Sequence, residues 1–533
     1  MRTVADAFFE TVQRWGTRPF LEILPETARA YGEQPGTMTY EQAAVEVTAL
    51  AARYRQAGAG AGHRVGLMLD NRPAFFLHWL ALNACGAGVV PLNPDLRPAE
   101  LDYLIGHSAL VMAVTAPAHL AVMQSTAVRA GSHVAVTLGD DVPDLEPASG
   151  TGDECALLYT SGTTGRPKGC ILGQEYFLRA GAWYNATGGL CAIRPGEDRL
   201  ITPLPMTHMN AMAYSTMAMV MSGGCIVPLD RFHPRTWWDS VRAGRASIVH
   251  YLGVMPSMLL GLPAEESDTA HDVRFGFGAG VDRRHQAVFE ARFGFPLLEA
   301  WAMTETGAGA VVIANRTPRR VGISSFGAPE PEMELRIVDE AGGDVDEGAP
   351  GEMVVRAAGP DPRAGFFMAY LHDPDATAAA WAGGWFHTGD VVRREDGQLI
   401  FVDRRKNVIR RSGENIAAVE VESVLRRHPA IREVAVAATP DEMRGEEVLA
   451  CIVVDPGLDA AAHAALAGDL VRAALEELSY FKVPGYVAFV DALPLTATQK
   501  IQRGELKAWA ATLPGQPNCI DTRALKIRQR TSA

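Results

Sequence analysis

Short apolar runs alternate with longer amphipathic runs along the N-terminal part of the chain. Arg64–Leu69 is followed by Pro73–Ala84, and Leu110–Thr115 is followed by Pro117–Ala130. A short apolar run predicts a buried strand, and a longer run with apolar residues three or four apart predicts a helix. The alternation therefore predicts an α/β fold, with a large N-terminal domain of stacked, mostly parallel sheets and flanking helices.

A different pattern begins near Ser325. Short strand-like runs are separated there by turns such as Gly342–Asp344 and Asp396–Gly397. The runs are Leu335–Val338, Met353–Arg356 and Leu399–Val402. Closely spaced short strands with turns between them predict antiparallel pairing, so we expect a small β-barrel-like subdomain over about residues 325–403.

The pattern changes again in the C-terminal part, where helices and strands mix. Val419–Arg427 and Asp459–Leu478 have helical spacing, whereas Ile431–Ala437 and Leu449–Val454 are strand-like. This mixture predicts a compact α+β domain.

The length of 533 residues allows about three or four domains or subdomains. We expect residues 1–403 to form the N-terminal domain and residues 404–513 to form a small, mobile C-terminal domain. The polar and basic remainder, residues 514–533, is predicted to be a flexible tail.

Composition narrows the class of function. Hydrophobic residues make up 48% and charged residues 21%, which excludes a mainly disordered chain. The net charge of -13 argues against nucleic acid as the main partner. No run reaches the roughly 18 uninterrupted apolar residues of a membrane helix, so no membrane span is expected. The seven cysteines are scattered and form no C-x-x-C pair, which argues against a disulfide framework and predicts a cytoplasmic location.

The segment 159–169 is the most informative stretch of the sequence. It follows the apolar run Ala156–Leu158 and combines glycines, hydroxyl side chains and two cations. Such a loop suits phosphate oxygens, because its backbone can approach them closely and its side chains donate hydrogen bonds. The candidate phosphate-binding residues are Thr160, Ser161, Gly162, Thr163, Thr164, Gly165 and Lys168.

Two common nucleotide-binding patterns are excluded. Pro167 precedes Lys168 where a Walker A loop requires a Gly-Lys pair. The stretch Gly276–Val281 ends in valine where the dinucleotide-binding G-x-G-x-x-G motif requires its last glycine.

The 159–169 loop resembles the signature loop of the adenylate-forming superfamily, which comprises acyl-CoA synthetases, adenylation domains and beetle luciferases. Further motifs follow in the family's order over most of the chain. Trp301–Glu305 resembles the aromatic-G-x-T-E motif, with Ala302 in place of its glycine. The resemblance implies that Trp301 packs near the adenine, that Thr304 contacts the α-phosphate and that Glu305 is the ligand of Mg²⁺.

Three more motifs of the N-terminal domain match the family. Gly278, Ala279 and Gly280 resemble the small-residue strand that accepts the adenine. Asp390, in a T-G-D motif, is then the acceptor for the ribose hydroxyls. His208 ends a segment that in the family lies beside the acyl pocket.

The C-terminal matches concern the hinge and a catalytic lysine. Asp403–Ile409 and Gly413–Ile416 resemble the hinge motif between the two domains. The resemblance implies that Arg404 contacts the ribose, that Lys406 is the hinge and that the segment with Gly413 serves the second step. Lys500 matches the C-terminal lysine motif, although Gln499 replaces the usual glycine.

The resemblance implies an ATP-dependent carboxylate–CoA ligase that uses Mg²⁺. A carboxylate and MgATP would give acyl-AMP and pyrophosphate, and the thiol of coenzyme A would then displace AMP. A stand-alone adenylation protein that loads a carrier phosphopantetheine is the alternative. Stretches such as Tyr480–Pro484 look most like the crotonobetaine/carnitine–CoA ligase-like branch. Whether the chain forms a homodimer is left open.

The acyl site is expected to draw on four segments rich in Met, Ala and Tyr. These are Met206–Tyr214, Tyr251–Met255, Gly278–Gly280 and Met303–Gly307. They contain no arginine cluster for a dicarboxylate, so we expect a hydrophobic or amphipathic monocarboxylic acid, used in fatty or other carboxylic acid metabolism. Tyr214, Tyr251 and Trp237 are candidates for enclosing a quaternary ammonium group only if they converge.

Overall fold

The fold is taken from a computed structural model. It describes residues 2–129, 134–139, 141–160, 166–404, 408–454, 460–494 and 501–526. The chain forms two compact units. The first contains Met1–Pro94, Ile105–Leu158 and Gly169–Asp403, and the second contains Asp95–Leu104, Tyr159–Lys168 and Arg404–Ala533.

Helices and strands alternate through both units. The helices, in chain order, are α1 (Val4–Trp15), α2 (Pro25–Tyr31), α3 (Tyr40–Gln56), α4 (Pro73–Ala84), α5 (Pro98–Ser108), α6 (Leu120–Arg129), α7 (Gln174–Thr187), α8 (Thr216–Ser222), α9 (Trp237–Ala243), α10 (Val254–Leu260), α11 (Arg283–Phe293), α12 (Pro374–Ala380), α13 (Ala418–Leu425), α14 (Ala460–Glu477) and α15 (Arg503–Ala510). A π-helix, Asn210–Ser215, leads directly into α8.

The strands, in chain order, are β1 (Pro19–Ile23), β2 (Gly36–Thr39), β3 (Arg64–Met68), β4 (Gly88–Pro91), β5 (Met112–Thr115), β6 (Ala135–Thr137), β7 (Glu154–Thr160), β8 (Lys168–Gly173), β9 (Arg199–Thr202), β10 (Cys225–Pro228), β11 (Ile248–Leu252), β12 (Phe275–Ala279), β13 (Leu297–Trp301), β14 (Val312–Ile313), β15 (Ser325–Gly327), β16 (Met333–Val338), β17 (Gly351–Ala357), β18 (Ala369–Tyr370), β19 (Phe386–Glu395), β20 (Gln398–Arg404), β21 (Val408–Arg411), β22 (Glu414–Ala417), β23 (Ile431–Asp441), β24 (Gly445–Val454), β25 (Tyr486–Phe489) and β26 (Cys519–Asp521).

An eight-stranded sheet has the order β14-β13-β12-β11-β9-β10-β1-β2. Its strands from β13 to β1 run parallel to their neighbours, and only the two outermost pairings are antiparallel. A seven-stranded sheet, β18-β8-β7-β4-β3-β5-β6, is parallel from β4 through β3 and β5 to β6. These parallel sheets confirm the α/β fold predicted from the alternation of apolar runs.

Helix α4, the first of the longer runs in that alternation, is almost entirely buried. It begins with Pro73 at its first position, where the missing amide hydrogen costs nothing. Nine of its twelve residues are buried, including Trp79. A helix that is apolar on nearly every face is expected inside a large core rather than on a surface. Within the described ranges, no helix combines the length and apolar character that crossing a bilayer requires.

The antiparallel region expected after Ser325 is a five-stranded sheet in the first unit. Its order is β15-β20-β19-β17-β16. β16 and β17 pair antiparallel from Met333 opposite Ala357 to Val338 opposite Glu352. The next strand, β19, pairs antiparallel with β17. The short strand-like runs of the sequence therefore form the antiparallel sheet that was predicted.

The second unit contains a six-stranded sheet covered by helices. Strands β22-β21-β24-β25-β26 follow one another, and β23 also pairs with β24. Val421 and Leu425 of α13 and Leu470 and Val471 of α14 belong to one buried apolar cluster with the strand residues. The mixture of helices and strands agrees with the α+β architecture expected for the C-terminal part.

The prediction of a flexible tail is wrong for residues 514–526. Strand β26 pairs antiparallel with β25, with Ile520 opposite Val487. Beyond it, the buried Lys526 ammonium lies 2.6 Å from Oε1 of Glu447, which also accepts from Arg411. The basic residues suggested a solvated tail because their partner, Glu447, lies far away in the sequence.

A buried cluster of charges lies in the second unit between its first and last segments. Nζ of Lys482 is 2.6 Å from Oε1 of Glu100 and 2.7 Å from Oε1 of Glu420. The hydroxyl of Ser479 donates to the other oxygen of Glu100. Burial raises the pKa of Glu420, although the adjacent Lys482 opposes that effect. The Tyr480–Pro484 motif thus supplies a buried lysine that is fully engaged with carboxylates.

Candidate active site

Four neighbouring parallel strands bring the predicted site segments to one edge of the eight-stranded sheet. Strands β9, β11, β12 and β13 are adjacent and parallel, so their carboxyl ends share that edge. The segment 203–208 follows β9, Gly253 follows β11, Gly280 follows β12 and Ala302 follows β13. The edge therefore collects all four segments expected to form the acyl site.

The strand end Gly278–Gly280 is pressed against β11. A Cβ atom on Gly278 would lie 2.2 Å from the carbonyl oxygen of Tyr251 and 2.8 Å from its ring, so no side chain fits there. Gly280 has φ +80°, a conformation that favours glycine. Its amide donates to Oε2 of Glu299 at 2.8 Å. The segment thus runs from the buried Gly278 to a tightly fixed turn at Gly280, which is exposed.

Glu299 is the buried carboxylate that fixes this turn. Besides Gly280, it accepts from the hydroxyl of Tyr251 at 2.6 Å and from the amide of Val281 at 3.3 Å. Burial, followed by the nearby Glu299 charge, raises the pKa of Tyr251 well above its ordinary value, so the phenol stays a donor. Glu299 therefore organises the Gly278–Gly280 segment.

Trp301 and Asp390 contact each other directly. Nε1 of Trp301 donates to Oδ2 of Asp390 at 2.9 Å, and both side chains are buried. Trp301 ends β13 of the large sheet and Asp390 lies in β19 of the five-stranded sheet. The indole hydrogen bond orients the carboxylate beside the strand ends, where a diol could also donate to it.

The backbone around Asp390 is held by its own motif. The hydroxyl of Thr388 donates to the carbonyl of Met353 at 2.6 Å and accepts from the amide of Asp390 at 3.0 Å. Gly389 has φ +70°, and its amide donates to Glu352. The T-G-D residues therefore form a fixed bend within β19 that sets the direction of the carboxylate.

Two tyrosines hold the turn that carries Thr304 and Glu305. The hydroxyl of Tyr370 donates to Oε1 of the buried Glu305 at 2.9 Å. The hydroxyl of Tyr214, in the π-helix, donates to the carbonyl of Gly307 at 3.0 Å. Burial, with the Glu305 charge next in importance, raises the pKa of Tyr370, so its proton remains available to the carboxylate. Thr304 itself is half-buried in this turn.

The residues fit a magnesium ion that arrives with a nucleotide. The described residues contain no group of three or more His, Cys, Asp or Glu side chains arranged to hold a metal. Mg²⁺ is commonly bound by one or two carboxylates together with substrate phosphates rather than by a protein cage. With Oε1 engaged by Tyr370, the single carboxylate of Glu305 is oriented for this kind of binding.

His208 lies two residues before the π-helix. It is half-buried, and its carbonyl accepts from the amide of Met212 at 3.1 Å. Four of the five residues that follow Asn210 in the π-helix are apolar or aromatic, and all five are buried. The π-helix thus connects His208 to Tyr214, which contacts the Glu305 turn.

A buried histidine of β11 lies beneath these segments. Nδ1 of His250 is 2.8 Å from both Oδ1 of Asn210 and Oγ of Ser215, and its Nε2 is 3.0 Å from the hydroxyl of Tyr184. Its ring stacks on Phe277 with centroids 4.7 Å apart. Burial lowers the pKa of His250 to about 3, so the imidazole is neutral at ordinary pH.

The ends of the predicted phosphate loop are described, and its centre is not. Thr160 ends β7 and Lys168 begins β8, whereas residues 161–165 lie outside the described residues. After the gap, the guanidinium of Arg166 lies 5.3 Å from the ring centre of Tyr103, whose hydroxyl donates to the carbonyl of Pro167 at 2.9 Å. The loop therefore stays a prediction at Ser161, Gly162, Thr163, Thr164 and Gly165.

Two of the four residues predicted in the C-terminal part lie within the described residues. Lys406 and Lys500 lie outside the described residues, and Arg404 is described only as the last residue of β20. Gly413 lies in the turn between β21 and β22 with φ +92°, which suits glycine. The roles of these residues stay predictions.

The three aromatic residues considered for a quaternary ammonium group contact different neighbours. Tyr214 packs against Trp183 with centroids 5.4 Å apart, and Trp237 packs against Phe232 at 5.3 Å. The hydroxyl of Tyr251 is bound to Glu299. Each ring therefore has a separate structural role.

Sequence reasoning missed Glu299, His250 and Tyr370. The first two carried a usable signal, because each is a polar residue inside a short apolar strand, in Leu297–Trp301 and Ile248–Leu252 respectively. Buried polar groups in such strands are expected to have specific partners. The sequence gives no comparable signal for Tyr370, because the position of Tyr370 next to Glu305 depends on the pairing of β18 with β8.

Most of the chain matches two related protein-family models. Residues 8–367 match the AMP-binding enzyme family, and residues 420–500 match the AMP-binding enzyme C-terminal domain. The chain is 30% identical over 487 residues to a crotonobetaine/carnitine–CoA ligase from Citrobacter koseri, covering 87% of this chain and 91% of that protein. The ligase of the same name from Shigella flexneri is also 30% identical, over 486 residues.

Solved structures share the fold. An amide bond synthetase, McbA from Marinactinospora thermotolerans, superposes with a TM-score of 0.79 at 24% identity, covering 96% of this chain and 100% of that chain. A malonyl-CoA ligase in complex with methylmalonyl-CoA and AMP superposes with a TM-score of 0.70 at 27% identity, covering 90% of this chain and 96% of that chain.

Proposed function

The chain belongs to the AMP-binding enzyme family, and we propose that it is an AMP-forming acyl-CoA synthetase. It converts a carboxylic acid and MgATP to acyl-AMP and pyrophosphate, and the thiol of coenzyme A then displaces AMP to give acyl-CoA. The observation that supports this best is the Trp301–Asp390 hydrogen bond beside the Gly278–Gly280 strand end. It provides an aromatic surface and a fixed carboxylate acceptor, which are the groups that an adenosine requires.

The first half-reaction activates the acid. A carboxylate is a poor acyl donor because oxide is a poor leaving group. One carboxylate oxygen attacks the α-phosphorus of ATP, the bond to the bridging oxygen breaks, and pyrophosphate leaves with its electron pair. The substrate is the nucleophile, so no nucleophilic side chain is needed. We assign Asp390 to the ribose hydroxyls, Trp301 to the adenine and Thr304 to the α-phosphate.

Charge is the main obstacle in this half-reaction, because two anions must meet. Glu305 would hold Mg²⁺, which neutralises phosphate charge when bound. Tyr370 keeps the Glu305 carboxylate oriented through its hydrogen bond. Thr160 and Lys168 at the ends of the phosphate loop, with the residues between them, are proposed to donate to the phosphate oxygens.

The second half-reaction forms the thioester. The sulfur of coenzyme A attacks the acyl carbon, AMP leaves, and the thiol proton is released. We assign Lys500 to the first half-reaction, Lys406 to the hinge, Arg404 to the ribose and Gly413 to the segment that serves thioester formation. These assignments rest on the sequence motifs and on the family to which the chain belongs.

We propose a hydrophobic or amphipathic monocarboxylic acid as the substrate, with His208 beside it. The segment from Ala211 to Ser215 is buried and mostly apolar. The relatives are named for crotonobetaine and carnitine, so a zwitterionic betaine acid is the competing substrate. Tyr214, Tyr251 and Trp237 are each packed in different surroundings, which favours the apolar acid.

A panel of acids tests the function and the substrate together. AMP release would be measured with purified protein, ATP, Mg²⁺ and either coenzyme A or a phosphopantetheinylated carrier protein. The panel includes straight-chain, aryl and betaine acids. We expect acyl-CoA to form with an apolar acid. Turnover with the carrier protein but not with coenzyme A would indicate the stand-alone adenylation protein instead. Pyrophosphate release without either acceptor would identify which acid the enzyme activates.

Two further features stay predictions. The seven cysteines all lie in the described ranges and are free thiols, which agrees with the reducing, cytoplasmic location proposed from the sequence. A homodimer would be tested by light scattering of the purified protein.

A further inference from the structure

His250 connects three segments of the candidate site. Through Nδ1 it contacts Asn210 and Ser215, the first and last residues of the π-helix. Its ring stacks on Phe277, the residue before Gly278. The π-helix in turn reaches the Glu305 turn through the hydrogen bond from Tyr214 to Gly307.

The neighbours of His250 assign its tautomer. Oδ1 of Asn210, with the amide assigned as in the structure, can only accept, so Nδ1 carries the hydrogen. The hydroxyl of Ser215 has the carbonyl of Asn210 at 3.2 Å as its acceptor. Nε2 is then the acceptor for the Tyr184 hydroxyl at 3.0 Å. With the Asn210 amide as assigned, the neutral Nδ1–H form supplies a donor to Oδ1 of Asn210 and leaves Nε2 to accept from Tyr184.

The π-helix is the element that needs such support. A π-turn is rare, and it occurs mostly where a function requires an irregular helix. The Nδ1–H group of His250 lies within hydrogen-bond distance of both ends of this one. A side chain at position 250 without a donor at the Nδ1 position would leave Oδ1 of Asn210 without this hydrogen bond. The turn that follows His208 would then be held less firmly.

We propose that His250 is a positioning residue for the carboxylic acid. Its Nδ1–H group holds the π-helix Asn210–Ser215, and thereby His208 and Tyr214, in the arrangement that binds the acid. His250 touches neither Asp390, Trp301 nor Glu305, which are assigned to the nucleotide. Its ring does stack on Phe277, beside the proposed adenine strand end, and N210A leaves that contact in place. This inference rests on the proposed function, because it assigns the π-helix to the acid rather than to ATP.

Two conservative variants separate the two ring nitrogens. In H250N the amide lies near the position of Nδ1, so a donor to Asn210 is retained and the Tyr184 contact is lost. In H250Q the amide lies near the position of Nε2, so the Tyr184 contact is retained and the donor to Asn210 is lost. Y184F is the matched control, because it removes only the Nε2 contact.

The first measurement is hydrogen exchange, which requires no substrate. Peptides spanning residues 206–216 should exchange faster in H250Q than in the parent, and about as slowly as the parent in H250N and Y184F. N210A, which keeps the histidine and removes its acceptor, should behave like H250Q. Equal protection in H250Q and H250N would overturn the proposal.

The second measurement compares KM for the acid with KM for ATP in pyrophosphate exchange. We expect H250Q and N210A to raise KM for the acid roughly ten-fold, the size of one net hydrogen bond, and to leave KM for ATP unchanged. A purely structural histidine would lower Tm in both histidine variants and move both constants together, which would also overturn the proposal. A parent enzyme that activates no acid would instead count against the proposed function, while the exchange data would still decide the role of His250.

Discussion

Asp390 and Glu305 are buried carboxylates, and each accepts a hydrogen bond from an aromatic side chain within the first unit. Trp301 donates to Asp390 and Tyr370 donates to Glu305, both at 2.9 Å. A donor that holds one oxygen fixes the direction of the other without neutralising the charge. The residues proposed to touch a substrate and the residues that orient them can therefore be tested separately.

Asp390→Ala should weaken ATP binding roughly ten- to hundred-fold, because a charged acceptor for the ribose hydroxyls is worth about 1.5–3 kcal/mol. Titration calorimetry with ATP measures this, together with the adenylation rate. Asp390→Asn is the companion variant, since its amide oxygen can still accept from Trp301. An unchanged ATP affinity in the alanine variant would remove Asp390 from the site.

Tyr370→Phe should raise the concentration of Mg²⁺ or Mn²⁺ needed for ATP binding several-fold, because Glu305 loses the donor that orients it. Mn²⁺ titration followed by electron paramagnetic resonance gives this without turnover. Tyr176→Phe is a matched control: Tyr176 packs on Gly307, and its buried hydroxyl has no hydrogen-bond partner within the described part of the chain. Equal effects of the two variants would show that the Tyr370 hydrogen bond does not orient the metal ligand.

His250 should make the fold sensitive to acid. Its pKa is about 3 in the folded chain because of burial, against about 6.5 when unfolded. A depressed pKa means that the unfolded state binds the proton first, so this stability is present above about pH 6.5 and is lost as pH falls towards 3. Between pH 7 and 5 the parent should lose about 2 kcal/mol relative to H250N. Denaturant unfolding at both pH values measures the difference, and parallel curves would contradict the assignment.

At the scale of the elements, Gly278 allows the close contact between β11 and β12, at the strand end proposed to receive the adenine. Gly278 lies directly opposite Tyr251 in this parallel pair. Because a Cβ at Gly278 would lie 2.2 Å from a backbone oxygen, the strands would have to move apart. The glycine therefore allows two strands to approach closely just where a flat ligand is expected.

Gly278→Ala should lower both stability, by roughly 1–3 kcal/mol, and ATP affinity, because an overpacked contact displaces the strand. Thermal unfolding and ATP titration measure the two effects. Gly106→Ala in α5 is the control, since nothing lies within 4 Å of its Cβ position and alanine favours a helix by about 1 kcal/mol. A stable Gly278→Ala protein with normal ATP affinity would mean that the strand end does not contact the nucleotide.

How far the sequence predicts these elements depends on the range of the interactions. The strands and helices of Arg64–Leu69 and Pro73–Ala84 follow from local periodicity, and the structure has them almost at those bounds. The strand β26 and the burial of Lys526 could not be predicted, because they depend on β25 and on Glu447. Gly485 illustrates the same limit: a Cβ there would lie 2.5 Å from the Glu447 side chain, a neighbour that no local pattern reveals.

At the scale of the whole molecule, the proposed roles are divided between the two units. Asp390 and Glu305 belong to the first unit, whereas Gly413 and Lys500 belong to the second. Motif order puts these four residues on the two sides of residue 403, but it does not predict that residues 95–104 and 159–168 belong to the second unit. The geometry of Lys500 could not be predicted in the same way, and it lies outside the described residues.

Lys500→Ala tests whether one residue of the second unit serves only one half-reaction. If the ammonium meets the carboxylate and the α-phosphate during adenylation, its charge stabilises that transition state and not thioester formation. Truncating one partner of such a contact typically costs about 2–5 kcal/mol, which is roughly thirty-fold to several thousand-fold in rate. We therefore expect acyl-AMP formation, measured by pyrophosphate exchange, to slow by that factor while ATP binding changes little.

If Lys500 serves adenylation alone, the same variant should convert chemically supplied acyl-AMP and coenzyme A to acyl-CoA at close to the parental rate. Lys507→Ala is a suitable control, since it removes a lysine of the nearby helix α15 that has no proposed role. Gln499 replaces the glycine that usually precedes the motif lysine. The variant therefore also tests whether this turn still brings Lys500 to the acid. If Lys500→Ala adenylates normally, the turn does not deliver this lysine to the acid. If instead both half-reactions slow equally, Lys500 contributes to the fold or to both steps rather than to adenylation alone.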